Sequence, residues 1–396
     1  MPPVAHAEAT NATTPSGARR GSAPDPAEID SILERAVEGQ RLSREDALTL
    51  FRSTDLAALG EAAHAVRMRL HPEPVVTYNV DRNINYTNAC VATCTFCAFY
   101  DKPGGERVYV LSRDEVGRKI EELQAAGGNQ VLLQGGMNPD LRLEWYEDFF
   151  RWMKSTYGVH LHALSPPEIV VIAKLERMSL ADVIRRLHAA GLDSIPGGGA
   201  EILDTRLRRE ISRGKCTAEE WLEVMRQAHL QGIRTSATMM FGHIETVEQR
   251  VDHLLKLRDL QDETGGFTAF ICWTFQNENV PLQAPEVGSF EYLKTLAISR
   301  LVFDNVRNMQ SSWITQGPKI GQIALWYGAN DMGSTMMEEN VVSAAGCTFK
   351  MDSREIELVI RRAGFEPRRR NFYYEHLPLE SLVTRPGDEI PRAPAA

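Results

Sequence analysis

From residue 75 onward, short β-branched or apolar runs alternate with amphipathic helical segments, and this alternation constrains the fold more than any other feature. Strands are expected from Val75 to about Asn85, and over Gln130–Gln134, His160–Leu164, Leu192–Ile195, Arg234–Phe241 and Phe267–Phe275. Two weaker ones are expected near Met309–Thr315 and Ile323–Tyr327. Between them lie helix signals. Ser112-Arg113-Asp114-Glu115 is a capping box, followed by Val116, Ile120 and Leu123 on one face and closed by Gly127-Gly128. Thr217-Ala218-Glu219-Glu220 is a second, and further helices are expected over Val247–Gln261 and Tyr292–Val306. Eight strands separated by helices make an α/β chain, and they favour a closed (β/α)8 TIM-type barrel over an open doubly wound sheet. The alternative is an incomplete barrel with irregular closure, since Gly317–Gly321 leaves only a short connection between the last two strands.

The barrel is expected to occupy residues 75–346, after a helical lead-in over 27–74 in which Leu, Val and Ala recur at helical steps. A C-terminal helical extension over 347–384 includes an amphipathic segment, Ser353–Ala363. Residues 1–26 carry almost no large apolar side chains and are expected to be disordered. Residues 385–396 read as a polar, proline-containing, flexible tail.

In such a barrel the chemistry sits on the loops that follow the strands. Polar and glycine-rich clusters stand at those places: Gln134-Gly135-Gly136, Ser165-Pro166-Pro167-Glu168, Gly197-Gly198-Gly199-Ala200-Glu201 and Gly242-His243-Ile244-Glu245. After the first strand comes Cys90-Val91-Ala92-Thr93-Cys94-Thr95-Phe96-Cys97, with no fourth cysteine nearby. A structural zinc site closes with four ligands. Three local thiolates instead fit a [4Fe–4S] cluster with one iron open to a ligand that is not protein.

The bulk numbers exclude other classes. A formal net charge of -9 and no basic stripe argue against a nucleic-acid partner. Arg368-Arg369-Arg370, a compact basic run, is expected on a solvated face with no role. Six cysteines in 396 residues, three of them clustered, do not form a disulfide framework. Exposed thiolates need a reducing compartment, which points to the cytoplasm. No apolar run approaches a membrane span.

The cysteine loop resembles that of the radical S-adenosylmethionine (SAM) enzymes. The stretch from Asp81 to Asn88 leading into it is similar to the branch of that family containing the menaquinone enzymes of the futalosine route and the deazaflavin-forming enzymes. Leu133–Gly136, His160–Glu168, Ser194–Glu201, Ala237–His243, Asp262–Phe270, Trp313–Lys319, Gly328–Asp331 and Glu338–Val342 continue the resemblance. It covers roughly residues 27–374. One departure is Cys272, where the branch is expected to have proline.

The resemblance implies an oxidoreductase with a [4Fe–4S] cluster on Cys90, Cys94 and Cys97, whose open iron binds SAM. Phe96 is then expected beside the adenine, Gly135 and Gly136 at the SAM amine, and Ser165 elsewhere around SAM. Glu201 is a candidate for a SAM ribose hydroxyl, and Arg213 or Lys215 for its carboxylate. The implied reaction opens with a 5′-deoxyadenosyl radical that takes a hydrogen from the ribose of dehypoxanthine futalosine. The resulting carbon radical closes on the substrate's own benzoate ring to give a spiro product. Loss of an electron and a proton then restores aromaticity. Candidates for the proton acceptor are His162, His243, Glu245 and Asp331, and His160 is a candidate substrate contact. Trp273, Trp313 and Trp326 are candidates for core or for lining against an aromatic substrate. The implied partners are a nucleoside-derived small molecule and a reducing protein such as flavodoxin or ferredoxin.

Overall fold

The ladder of strands returns to the segment on which it begins. A computed structural model describes residues 24–377, so the tail expected at 385–396 and most of the one at 1–26 lie outside the described residues. Strands β1 (Val75–Asn79) and β2 (Asp81–Ile84) are two halves of one extended segment, broken only at Val80. The Val80 N–H donates to the Asn79 side chain at 2.9 Å instead of entering the ladder. The chain then forms β3 (Thr93–Cys94), β4 (Gln130–Leu133), β5 (His160–Ala163), β6 (Ser194–Ile195), β7 (Ser212–Arg213) and β8 (Arg234–Phe241). It ends with β9 (Phe267–Thr274), β10 (Asn308–Gln310), β11 (Asp331–Ser334) and β12 (Glu366–Arg369).

Pairing runs β1-β11-β10-β9-β8-β6-β5-β4-β2, every step parallel. Thr77 stands opposite Asp331 at one end, and Asp81 opposite Gln130 at the other. Because β1 and β2 are one segment, the sheet closes into the eight-position barrel that the strand–helix rhythm implies. Strand β12 adds beside β1, with Val75 opposite Glu366. Strands β3 and β7 form a separate antiparallel pair.

The sheet buries both faces, yet its strands are not continuously apolar. Along the first segment Val76, Tyr78, Val80 and Ile84 face the helices and join the core. The alternate residues Asn79, Asp81, Asn83 and Asn85 line the barrel interior. Strand β4 repeats this, with Val131 and Leu133 in the core and Gln130 and Leu132 inside. Parallel strands covered on both faces ordinarily read as unbroken apolar runs. A polar inner face therefore marks a cavity rather than a filled core.

Helices Pro26–Val37, Arg44–Arg52 and Leu56–Leu70 form the lead-in. They pack against Ser289–Val302, and Lys294 of that helix donates to the Phe51 carbonyl. No helix among the described residues is long and apolar enough to cross a membrane.

The last two strands differ from the sequence expectation. The seventh covers only Asn308–Gln310, and Trp313–Ala324 is helical. Gly317, at φ 77° and ψ 162°, divides that helix, and Pro318 restarts it in a position where its missing N–H is harmless. Ile323–Tyr327, expected as the eighth strand, is the end of this helix and a turn. The eighth strand is Asp331-Met332-Gly333-Ser334, which carries little intrinsic β preference and is made a strand by its neighbours.

The C-terminal basic run also departs from expectation. Beyond helix Ser353–Arg362 the chain re-enters the sheet as β12, and Arg370 is buried, 4% exposed. Its Nε and its second terminal nitrogen donate to the two Asp331 oxygens at 2.5 and 2.9 Å. Thr77 Oγ1 donates to the same carboxylate at 2.5 Å. Asp331, expected as a base after the last strand, is thus the first residue of β11 and is committed to a buried ion pair.

Removing one member of that pair leaves the other charge uncompensated. Arg370→Met is expected to lower unfolding free energy by about 3–5 kcal/mol. The double variant Arg370→Met/Asp331→Asn should recover much of the loss in urea denaturation.

Candidate active site

The loop 90–97 is pinned on several sides by backbone hydrogen bonds. Cys94 pairs with Ser212 across β3 and β7, and the Thr95 N–H donates to the Ile211 carbonyl at 2.8 Å. The Val91 N–H reaches Met137, and the Cys90 N–H reaches Asp101 at 2.9 Å. Gly136 lies directly beneath. A β-carbon there would come within 2.1 Å of the Ala89 carbonyl oxygen, so only glycine lets the two loops meet.

The loop delivers Cys90, Cys94 and Cys97 to one cavity of about 230 Å³, together with Phe96, Gly135, Ser165, Glu201 and Lys215. No fourth cysteine lines it. Burial pushes the Cys94 thiol up to about 12, opposed by Lys215. Such thiols ionise when a metal takes the sulfur. Among the described residues, no three His, Cys, Asp or Glu side chains converge as a single metal ion requires. A cubane cluster needs no such convergence, because each thiolate binds its own iron.

Two buried carboxylates flank the thiols. Glu201, held at φ 40°, accepts from Lys215 Nζ at 2.8 Å and from Arg208 at 3.2 Å. Burial would raise its pKa, but Lys215 and Arg208 hold it below the usual carboxylate range. Lys215 also lies 5.1 Å from the centre of the Phe96 ring. Arg213, by contrast, is exposed on β7 and does not line the cavity. Of the two basic candidates only Lys215 reaches inside. Glu168 is the second carboxylate. It accepts from Tyr86 Oη at 2.7 Å, from the Gly135 N–H at 3.0 Å, and from the Ser165 N–H and hydroxyl at 2.6 Å each. Burial nevertheless raises its pKa. The Gly135 and Ser165 donors are therefore already used, and the Gly136 N–H goes to Thr87 at 2.9 Å.

A second cavity of about 300 Å³ fills the barrel interior and shares Asn85, Gln134, Glu201 and Trp273 with the first. His162 lines it. His162 Nδ1 and His160 Nε2 each stand 2.8 Å from the Ser194 hydroxyl, and the Phe372 ring lies 4.6 Å from the His162 ring. Burial pushes His160 down to about 4 and His162 well below its ordinary value, so both are neutral near pH 7.

His243 and Glu245 line neither cavity. Glu245 accepts from the Gly242 and His243 N–H groups at 2.6 and 2.9 Å and from Arg250 Nε at 2.7 Å. They tie the loop after β8 to helix Val247–Thr264. With Asp331 locked to Arg370, His162 alone of the four expected proton acceptors faces the cavity. Trp273 and Trp313 line the interior, whereas Trp326 is 48% exposed and packs on His64 and Phe365. Sequence reasoning passed over Glu168 as a carboxylate and the polar row Asn79, Asp81, Asn83 and Gln130. The available signal was polar residues at every second place in a segment that had to be a buried strand.

Comparisons with known proteins agree with this architecture. The model of the radical SAM superfamily matches residues 84–257, and that of the CofH/MqnC C-terminal region matches residues 264–383. A cyclic dehypoxanthine futalosine synthase of Halalkalibacterium halodurans is 48% identical, covering 88% of this chain and 94% of its own length. One from Streptomyces coelicolor is 44% identical, covering 89% of each. An aminodeoxyfutalosine synthase of Thermus thermophilus is 40% identical, over 87% of this chain and 95% of its own. The crystal structure of methylornithine synthase superposes with a TM-score of 0.66 over 85% of this chain and 97% of that one; at 21% identity it supports the fold alone.

The buried histidines carry a pH consequence. His71, His160 and His229 are each pushed by burial to about 4, and His253 to about 3. The unfolded chain takes up protons below about pH 6.5 that the folded chain refuses. The contribution of these histidines to stability should therefore be constant above about pH 6.5 and fall from there toward about 4. In urea titrations, His160→Gln should fall less steeply through that window.

Proposed function

The chain belongs to the radical SAM superfamily, in the family of the cyclic dehypoxanthine futalosine synthases and their aminodeoxyfutalosine relatives, and from that premise we propose that this enzyme cyclises dehypoxanthine futalosine to its spiro product in menaquinone biosynthesis. The observation that carries the reading is the joining of two cavities. One is lined by three thiols and no fourth. The other, opening from it, has a polar wall facing tryptophan and aliphatic side chains.

The residues of the outer cavity fit a [4Fe–4S] cluster with SAM. Cys90, Cys94 and Cys97 would hold three irons, and Lys215 supplies a buried positive charge beside the bound anions. Phe96 offers a flat face for the adenine, Glu201 an acceptor for the ribose hydroxyls, and the loops at Gly135 and Ser165 the surrounding wall. When bound, cluster and SAM supply the 5′-deoxyadenosyl radical that opens such reactions. The chain's own part is to hold the substrate at that radical and to exclude water and other hydrogen donors.

His162 lines the inner cavity, with its Nδ1 2.8 Å from the Ser194 hydroxyl. A neutral imidazole can accept the proton released when the ring regains aromaticity, the accompanying electron passing to a one-electron acceptor. The reducing partner would be a small one-electron protein such as flavodoxin or ferredoxin, in a reducing compartment such as the cytoplasm.

The test is anaerobic reaction of the reconstituted protein with SAM, a reductant and dehypoxanthine futalosine, with products identified by mass spectrometry. A cyclised product is expected alongside 5′-deoxyadenosine. Deoxyadenosine without that product, or aminodeoxyfutalosine formation from its own precursor, would overturn the assignment. Cys94→Ala should lose the iron-linked charge-transfer absorption and lower activity at least about 1,000-fold, a loss of roughly 4 kcal/mol of transition-state stabilisation.

A further inference from the structure

Four side chains on one wall of the inner cavity are buried and each leaves one polar atom without a partner. Asn79, Asp81 and Asn83 lie on the β1–β2 segment and Gln130 beside them on β4; their exposures are 6%, 4%, 4% and 8%. Asn79 Nδ2, Asp81 Oδ1, Asn83 Oδ1 and Gln130 Oε1 have no hydrogen-bond partner. The one bond between these side chains, from Gln130 Nε2 to Asp81 Oδ2, is long at 3.4 Å. Buried polar groups are ordinarily paired, as Glu168 and Asp331 are here. Four unpaired ones on a single cavity wall point to a ligand that completes them.

Their chemistry limits that ligand. Three of the free atoms are acceptors and one is a donor, which suits hydroxyl groups. An anion is disfavoured, because Asp81 is itself a carboxylate. Arg370, the nearby cation lining the cavity, is held by Asp331. Besides Arg370, the groups around Asp81 are neutral: Gln130, the Ser334 hydroxyl and the Met336 N–H. Across the cavity stand Ile271, Trp273 and Ile314, which suit a flat apolar ring.

We propose that Asn79, Asp81, Asn83 and Gln130 form the subsite for the hydroxyl-bearing sugar end of the substrate, and that they turn its aromatic ring toward the opposite wall. This rests on the functional reading above and adds the orientation of the substrate within the barrel. Asp81 acts by accepting a substrate hydroxyl, and no covalent step is assigned to it.

The test is equilibrium binding of dehypoxanthine futalosine to the unreduced, cluster-loaded, SAM-bound enzyme by calorimetry, where no turnover occurs. Asp81→Ala and Asn83→Ala are each expected to weaken binding about tenfold or more, with SAM affinity within twofold of wild type as the check on folding. A 3-alkylbenzoate without sugar hydroxyls should bind wild type and both variants alike. Unchanged affinity for dehypoxanthine futalosine in both variants would overturn the subsite while leaving the function intact. Equal loss for the hydroxyl-free benzoate would also overturn it. A wild-type enzyme that fails to bind dehypoxanthine futalosine would instead overturn the functional reading, and the subsite with it.

Discussion

The closure of the sheet on the segment Val75–Ile84 is the constraint on which the rest depends. That segment pairs with β11 through its first half and with β4 through its second, so it is both the first and the last stave of the barrel. Its inner face supplies Asn79, Asp81, Asn83 and Asn85 to the cavity, and its outer face supplies Val76, Tyr78, Val80 and Ile84 to the core. The same segment runs on into the cysteine loop. A slip of one residue would exchange the two faces, placing apolar side chains in the cavity and amides against the helices.

Charge is handled differently at the two ends of the interior. Around the thiols, Lys215 and Arg208 bracket Glu201, placing a buried ammonium beside the residues that would receive an anionic cluster and a carboxylate. In the inner cavity Arg370 is matched by Asp331, and Asp81 stands near them with burial raising its pKa to about 6. Lys215 thus lines the thiol cavity, whereas the cation of the inner cavity is held by Asp331. Two ligands of different charge distribution can be sorted within one continuous space.

Much of the fold was legible because local rules and tertiary environment agreed. The capping boxes at Ser112 and Thr217 form as their sequences imply, since a cap is decided within four residues. The long apolar runs Arg234–Phe241 and Phe267–Thr274 are strands nearly as expected. The errors fall where long-range pairing outweighed propensity. Trp313-Ile314-Thr315 is β-branched and aromatic yet helical, and Asp331-Met332-Gly333-Ser334 is a strand with little strand character. Only the ladder through Gln310 and Thr77 makes it one.

For the site, the sequence by itself determined which thiols stand together. The spacing of Cys90, Cys94 and Cys97 brings three thiols into one loop wherever that loop lies, because eight residues can span no great distance. The glycines at 135 and 136 and the acid at 201 were marked as loop features for the same local reason. Tertiary structure alone decided the rest. It chose Lys215 over Arg213, turned His243 and Glu245 into a loop fastening, and locked Asp331 to an arginine 39 residues away. Those outcomes depend on which distant side chain the closed barrel places beside a buried charge. Burial, which makes an unpaired charge costly, selects the partner, and burial is a property of the closed barrel rather than of any stretch of chain.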